Sequence, residues 1–347
     1  MSKKVFVGMS GGVDSSVTAA LMQEQGFEVI GVYMKNWADN LPGWHCPWRE
    51  DLADAKRVAV QLGIDFRVYD FQEQYKDKVV DYLIDGYRQG ITPNPDVMCN
   101  QEIKFRLFLD SAISDGADYI ATGHYARTQP DSLTLLKGVD DNKDQSYFLY
   151  RMSKDSIGKT LMPLGEMTKP EVREIAMQKK LVTAQKKESM GICFVGKVPI
   201  KDFLKNFVDE APGPIVNATG EVVGQHDGAM FYTIGQRHGL NVGGGLPYYV
   251  TGKNMETNTV MVTTDLSDNK LWADRLHLKA LNWLQEPQEN KSYQIRTRHR
   301  DKLHSAELII AEDGVVVEIE QQTRAVTPGQ SCVIYDHDVV VGGGIIT

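Results

Sequence analysis

The segment with the plainest chemical character is Ser10-Gly11-Gly12-Val13-Asp14-Ser15-Ser16, which follows the apolar run Val5 to Met9 and precedes an apolar-periodic stretch. Two adjacent glycines let backbone N–H groups approach an anion closely, and a helix beginning beside them adds its positive end. Ser10 and Ser15 supply hydroxyl donors, and Asp14 is suited to hold Mg2+ against phosphate oxygens. A lone Gly-Gly is more often a strand-to-helix turn with Ser or Asp as its cap. The full heptad between strand and helix points instead to a phosphate-binding loop. It is not a Walker loop, because no Gly-x4-Gly-Lys-Ser/Thr occurs in the chain.

A second set of candidates is thiol chemistry. Two of the four cysteines lie in turn-like, partly polar settings, Asn94-Pro95-Asp96-Val97-Met98-Cys99-Asn100 and Gly191-Ile192-Cys193-Phe194. Isolated cysteines are usually small buried hydrophobes. Cys99, however, stands just before a helix expected from about Gln101, whose N-terminus lowers a thiol pKa, and Cys193 follows Lys186-Lys187. Cys332 precedes Val333 and Ile334 and reads as core. His45-Cys46-Pro47-Trp48 lacks a second Cys or His pair at ligand spacing, so no metal site is expected there.

The third candidate is a basic stripe. Tyr293-Gln294-Ile295-Arg296-Thr297-Arg298-His299-Arg300 alternates, and as a strand it would put Arg296, Arg298 and Arg300 on one face, where they could track phosphates. The plainer reading is a solvated strand face. Net charge is −8, from 38 basic against 46 acidic residues, so nucleic-acid contact requires such local patches and not a global field.

The elements that must position these groups divide the chain in three. Residues 1–200 alternate strand and helix: Val5 to Met9, a helix from Val13 to Gln25, Val29 to Met34, a helix carrying Leu52, Ala55, Ala59 and Leu62, Phe66 to Tyr69, a helix over about 73–88, and Tyr119 to Thr122. That pattern predicts a Rossmann-like parallel sheet covered on both faces, with ligands at the carboxyl ends of its strands. Thr168-Lys169-Pro170-Glu171 has the spacing of a capping box. Residues 201–272 turn to short strands and Gly/Pro turns, a small β-rich central domain, and residues 273–347 read as a closed β-barrel. The start has neither a signal peptide nor an anchor, and no apolar run approaches a membrane span. A cytoplasmic location with reduced thiols is therefore expected.

The heptad resembles the PP-loop of the ATP pyrophosphatases, whose domain is adenine nucleotide alpha hydrolase-like. They split ATP between its α- and β-phosphates and transfer AMP to a substrate oxygen. With Met34-Lys35-Asn36-Trp37, Thr92-Pro93-Asn94-Pro95-Asp96, Cys99-Asn100, Ala121-Thr122-Gly123-His124-Tyr125-Ala126-Arg127, Lys143-Asp144-Gln145-Ser146-Tyr147-Phe148-Leu149, Gly191-Ile192-Cys193-Phe194 and Gly235-Gln236-Arg237-His238-Gly239-Leu240, the whole chain resembles the bacterial tRNA 2-thiouridylases. The resemblance implies ATP on Gly8, Met9, Ser10, Gly11, Gly12, Val13, Asp14 and Ser15, with adenine gripped at Met34 and Gly123. It implies that Asn94, Pro95 and Asp96 meet the target base, with Asp96 as general acid/base, that Cys193 carries sulfur as a persulfide, and that Cys99 is its partner. Lys143, Asp144, Gln145, Arg298, His299 and Arg300 would contact tRNA. The reaction implied is 2-thiolation of the wobble uridine of the lysine, glutamate and glutamine tRNAs, with a cysteine desulfurase or relay protein supplying sulfur. Two departures are Glu188-Ser189-Met190, where Asp-Ser-Thr is expected, and His299, where Tyr is expected.

Rival readings are an amidating PP-loop enzyme, which needs neither thiol, and an RNA-binding protein with a relic loop, which consumes no ATP. An iron–sulfur cluster held partly by the two thiols is the alternative to persulfide chemistry.

Overall fold

The computed structural model describes residues 2–40, 46–187, 199–240, 242–243, 245–288, 291–311 and 313–347. The first domain is built on strands β1 (Lys4–Gly8), β2 (Glu28–Lys35), β3 (Asp65–Asp70) and β4 (Tyr119–Ala121), a hairpin β5 (Ala126–Gln129) and β6 (Thr134–Lys137), and β7 (Thr160–Leu161). Five of them form a parallel sheet in the order β3-β2-β1-β4-β7. β1, β2 and β4 are apolar on both sides because both sides are covered, whereas the edge strand β3 is largely exposed. Phe6 enters one core with Met34, Ile103 and Phe108, while Val5 and Val7 enter the opposite core with Ala19, Met22, Ala55 and Val58. Helices α1 (Val13–Glu24) and α2 (Trp48–Leu62) cover that second face.

The other face carries two long helical runs, each interrupted by a π-helical stretch. Gln72–Tyr75, Lys76–Val80 and Asp81–Arg88 follow one another without a break, as do Pro95–Met98, Cys99–Phe108 and Leu109–Ser114. The second run begins six residues earlier than its apolar period suggests. Asn94 is its N-cap, accepting from the N–H groups of Asp96 (3.1 Å) and Val97 (3.3 Å), and Pro95 fills the first helical position. Cys99 is therefore inside a helix and fully buried, not in a turn ahead of one.

The central domain is a four-stranded sheet, β8 (Gly213–Val216), β9 (Val222–His226), β10 (Tyr249–Asn254) and β11 (Thr259–Thr263), in the order β10-β11-β8-β9. The last domain is a six-stranded barrel of β12 (Trp272–Trp283), β13 (Ser292–Arg296), β14 (His304–Ala311), β15 (Gly314–Arg324), β16 (Ser331–Asp336) and β17 (Val339–Ile346). It runs β12-β15-β14-β13-β16-β17 and closes through β12 on β17. Alternate residues such as Leu276, Leu278, Val315, Val317 and Ile319 fill its interior. The hairpin β5–β6 joins this sheet, Leu136 pairing with Val339, and Arg127 and Lys137 both form ion pairs with Asp338. Among the described residues no helix is long and apolar enough to cross a membrane.

A candidate nucleotide and thiol site

β1 ends at Gly8, and Met9 and Ser10 lead into the loop ahead of α1. Met9 stays tied to the sheet by its N–H on the Val32 carbonyl (2.7 Å), while the Ser10 N–H donates to Ser15 Oγ (3.1 Å) and Ser15 Oγ to the Gly12 carbonyl (3.2 Å). Gly11 has φ +72°, and a Cβ there would lie 2.2 Å from the Asp51 carbonyl oxygen of α2, so only glycine fits. Gly12 is the N-cap of α1 and offers no side chain to its first N–H groups. Those donors point out of the helix for an anion to use.

The structure brings the expected adenine residues to this loop. A Cβ on Gly123 would lie 3.0 Å from the Asp14 carbonyl carbon and the Ser15 nitrogen, and one on Gly8 would lie 3.1 Å from Met34 Cε. Asp14 itself is not open: Lys169 Nζ reaches its two oxygens at 2.6 and 2.8 Å, and the Tyr125 hydroxyl donates to Oδ1 at 2.8 Å. Lys169 was hidden in the sequence within a capping box, which is present, with the Thr168 N–H donating to Glu171 Oε2 at 2.7 Å. The available signal was a cation in the first turn of a helix, where the macrodipole disfavours it and some other group must hold it.

The strand end that delivers Tyr125 to Asp14 also delivers His124 to the cysteine-bearing helix. His124 is buried beside Lys104, and burial followed by the Lys104 charge pushes its pKa well below the ordinary value. Its Nε2 lies 3.3 Å from Lys104 Nζ and its Nδ1 2.8 Å from Thr122 Oγ1; because the ammonium can only donate, a neutral ring accepts at Nε2 and donates from Nδ1. On the same helix Asp96, half-buried, precedes the fully buried Cys99 by about one turn. Asn100 donates to the Phe148 carbonyl at 3.3 Å. Cys193, with Gly191, Ile192 and Phe194, lies outside the described residues. Lys186, close before that stretch, is anchored on α2 by Asp51 (2.8 Å) and Asp54 (2.5 Å). Burial works against its charge, but these two hydrogen-bonded carboxylates prevail and raise its pKa.

The remaining cysteines are inert by position. Cys332 is inside the barrel, its thiol pushed up to about 12 by burial, and Cys46 is buried with its Sγ 3.7 Å from the Trp37 carbonyl.

Several residues expected to contact tRNA are engaged within the protein. Asp144 is buried, with Oδ1 accepting from the N–H groups of Gly138 and Ser146 (both 3.1 Å) and Oδ2 paired with Arg296. Its carboxylate joins the first domain to the barrel and does not face solvent. Gln145 is half-buried, its Oε1 accepting from the Tyr125 N–H at 3.0 Å. The arginine stripe does not form either, because β13 ends at Arg296 and the chain then turns. Arg296 is buried on Asp144, Arg298 donates to the carbonyls of Ala325 and Ile234, and only Arg300, at φ +64°, is exposed. His299 packs 4.5 Å from the Phe148 ring; burial and the neighbouring Arg300 pull its pKa down to about 4, so a neutral ring stands where Tyr was expected.

Comparison with known proteins accounts for the whole chain. A family model for the tRNA methyl transferase HUP domain matches residues 3–197, one for the tRNA methyl transferase PRC-barrel domain matches 201–264, and one for the aminomethyltransferase beta-barrel domain matches 273–346. The tRNA-specific 2-thiouridylases MnmA of Bacillus thuringiensis (strain Al Hakam) and Bacillus anthracis are each 46% identical over 349 aligned residues, covering 99% of this chain and 94% of theirs. A solved 4-thiouridine synthetase–RNA complex with bound ATP overlaps more distantly, at 18% identity and TM-score 0.36 over 59% of this chain and 50% of that one. With a phosphate loop, an adjoining acid–thiol helix and three matched domains in one order, the chain belongs to the tRNA-specific 2-thiouridylase family.

Proposed function

We propose that the protein catalyses ATP-dependent 2-thiolation of the wobble uridine of tRNA. The observation that carries this reading is the side-by-side placement of the uncapped glycine loop and the Asp96–Cys99 helix, which Lys104 on His124 ties to the same strand end that brings Tyr125 to Asp14.

A ring carbonyl oxygen is a poor leaving group. Attack by the uracil O2 on the α-phosphorus, with loss of pyrophosphate, converts it to AMP, and Asp96 takes up the N3 proton. The loop N–H groups and Lys169 hold the phosphates. Asp14 would hold Mg2+, with phosphate oxygens and water, once Lys169 moves from its carboxylate toward the phosphates, and the ion would shield charge on the departing pyrophosphate. The terminal sulfur of a Cys193 persulfide then attacks C2 and AMP leaves. The Cys99 thiolate attacks Cys193 Sγ, breaking the bond to the transferred sulfur; the thiobase recovers its N3 proton from Asp96, and a thiol reductant reopens the Cys99–Cys193 disulfide. Lys143, His299 and Arg300 would contact the tRNA, and the substrates are the lysine, glutamate and glutamine tRNAs in the cytoplasm.

The test uses the purified full chain, ATP, unmodified tRNA of these three kinds, a cysteine desulfurase and cysteine, with nucleoside mass spectrometry as the readout. The expected result is 2-thiouridine formed with matching AMP and pyrophosphate. Adenylation without sulfur incorporation would overturn the thiolation reading in favour of amidation chemistry, and no ATP consumption with tRNA would favour a non-catalytic RNA binder. An iron–sulfur absorption band in anaerobically prepared protein would replace the persulfide route.

A further inference from the structure

The stretch between the two long helical runs, residues 89–94, has no helix or strand of its own, so its backbone groups must find partners elsewhere. At Thr92, which is buried, the partners of all three polar groups come from the other two domains. Its N–H donates to the Pro328 carbonyl (2.9 Å) and its carbonyl accepts from Gln330 Nε2 (2.7 Å), both of the barrel. Its hydroxyl lies 3.4 Å from that of Thr233 in the central domain.

The barrel turn that meets Thr92 is itself pinned to β17. The Gly329 N–H donates to the Ile346 carbonyl and the Ile346 N–H to the Gln330 carbonyl, both at 2.9 Å. Gly329 has φ +92°, and a Cβ on it would lie 2.9 Å from the Thr92 nitrogen and carbonyl carbon and 3.0 Å from the Thr92 oxygen. Backbone rests on backbone at this point, and no flexible side chain is there to yield. The residues beside Thr92 are seated as closely: a Cβ on Gly90 would lie 2.5 Å from Met255 Cγ of the central domain, and one on Gly86 would lie 2.5 Å from Pro93 Cγ.

The chain that follows is stiff. Pro93 and Pro95 fix their own φ, and each confines the residue before it to extended backbone. Asn94, at φ −107° and ψ 101°, then caps the helical run that carries Asp96 and Cys99. A shift imposed on Thr92 is therefore passed to Asp96, four residues on, and is not absorbed between them.

We propose that Gly329 and Gln330 are positioning residues for the reaction: through Thr92 they set where the Asp96–Cys99 helical run begins, so that the barrel aligns both the proton-transfer group and the resolving thiol. The proposal rests on the thiolation reading, which gives Asp96 and Cys99 those roles. Ordinary contact begins at 3.4 Å, so an alanine methyl at position 329 must push Thr92 or the turn away by roughly half an ångström. Reacting groups tolerate about that much, and a misplacement of about 1 Å costs roughly 100-fold in rate.

The test is Gly329→Ala in the full-length protein, followed by rapid-quench single turnover at saturating ATP and tRNA. The rate constant of pyrophosphate release should fall roughly 10- to 100-fold at full amplitude, with ATP and tRNA affinities within a few-fold of the wild type. A variant that is only destabilised keeps the rate and loses amplitude with its unfolded fraction, and that result would overturn the proposal, as would a wild-type rate at full amplitude. Should Gly329→Ala fail to fold, Gln330→Met keeps the side-chain length and removes the donor; it should slow the same step roughly 2- to 10-fold. Weaker tRNA binding by Gln330→Met at an unchanged rate would count against the positioning role. Amide hydrogen exchange needs no substrate: the Asp96 and Val97 N–H groups, capped by Asn94, should exchange faster in Gly329→Ala while those of α1 match the wild type. If exchange quickens there but the wild type releases no pyrophosphate with tRNA, the positioning role stands and the thiolation reading falls. Unchanged exchange together with wild-type thiolation by the variant does the reverse.

Discussion

Lys169→Met isolates the cation that the sequence concealed. Lys169 is 9% exposed at its side chain and Asp14 32%, with contacts of 2.6 and 2.8 Å, so the pair is intermediate between a solvated bridge and a buried one. Discounted for the exposure of Asp14, its loss should cost about 1 to 2 kcal/mol of stability, little enough to leave the chain folded. The larger effect falls on nucleotide. If the ammonium also donates to a phosphate oxygen, one charge-assisted hydrogen bond is removed, about 1.5 to 3 kcal/mol, which is roughly 10- to 150-fold in ATP affinity. Arginine keeps the charge but not the compact three-donor geometry, so Lys169→Arg should recover only part of it. Calorimetric titration with a non-hydrolysable ATP analogue gives the affinity, and pyrophosphate release with tRNA gives the turnover. Wild-type affinity in Lys169→Met would refute the reasoning and leave Lys169 as a strut for Asp14 alone, and an equal fall in tRNA affinity would show that the change had spread beyond the loop.

Asp14→Ala or Ser15→Ala should abolish AMP and pyrophosphate formation while tRNA binding stays within a few-fold, because the loop faces phosphate; filter binding beside a pyrophosphate assay separates the two. With a desulfurase and labelled cysteine, Cys99→Ser should retain label on Cys193 and Cys193→Ser should take up none, neither variant turning over; label on Cys99 with thiolation intact would reverse the two roles. The His299 pKa is depressed to about 4 from 6.5, so its contribution to stability is complete above about pH 6.5 and is lost as pH falls toward 4, where the unfolded chain binds a proton that the folded one refuses. His299→Gln should therefore melt with a shallower decline between pH 7 and pH 5 than the wild type, and parallel declines would contradict the cause assigned to that shift.

What was legible in the sequence was local. The phosphate loop, the strand before it and the capping box each occupy a few consecutive residues, and local hydrogen bonding decides them. Lys169 was not legible because its partner Asp14 is 155 residues away, and no periodicity spans that distance. The helix start at Asn94 was misread for a different reason: Asn-Pro is both a turn signal and an N-cap followed by a first-turn proline, and the next apolar period alone could not choose. The arginine stripe failed because alternation of residue type continues past the last ladder bond of β13 at Arg296, where β16 pairing also ends. Asp144 was matched as a tRNA contact, but in the fold the nearest positive charge is Arg296 from another domain.

The pairing of β6 with β17 sets an order of events during synthesis. Residues 134–137 leave the ribosome some two hundred residues before Val339, so the hairpin must wait as an open edge while the central domain and most of the barrel are made. A waiting edge is a template for wrong pairing, and here it is short, with Arg127 and Lys137 beside it, two cations whose partner Asp338 also arrives late. Chains stalled or cut shortly before residue 338 would thus contain a folded sheet, central domain and partial barrel, yet expose the β6 half of a seam whose other half, β17, is missing.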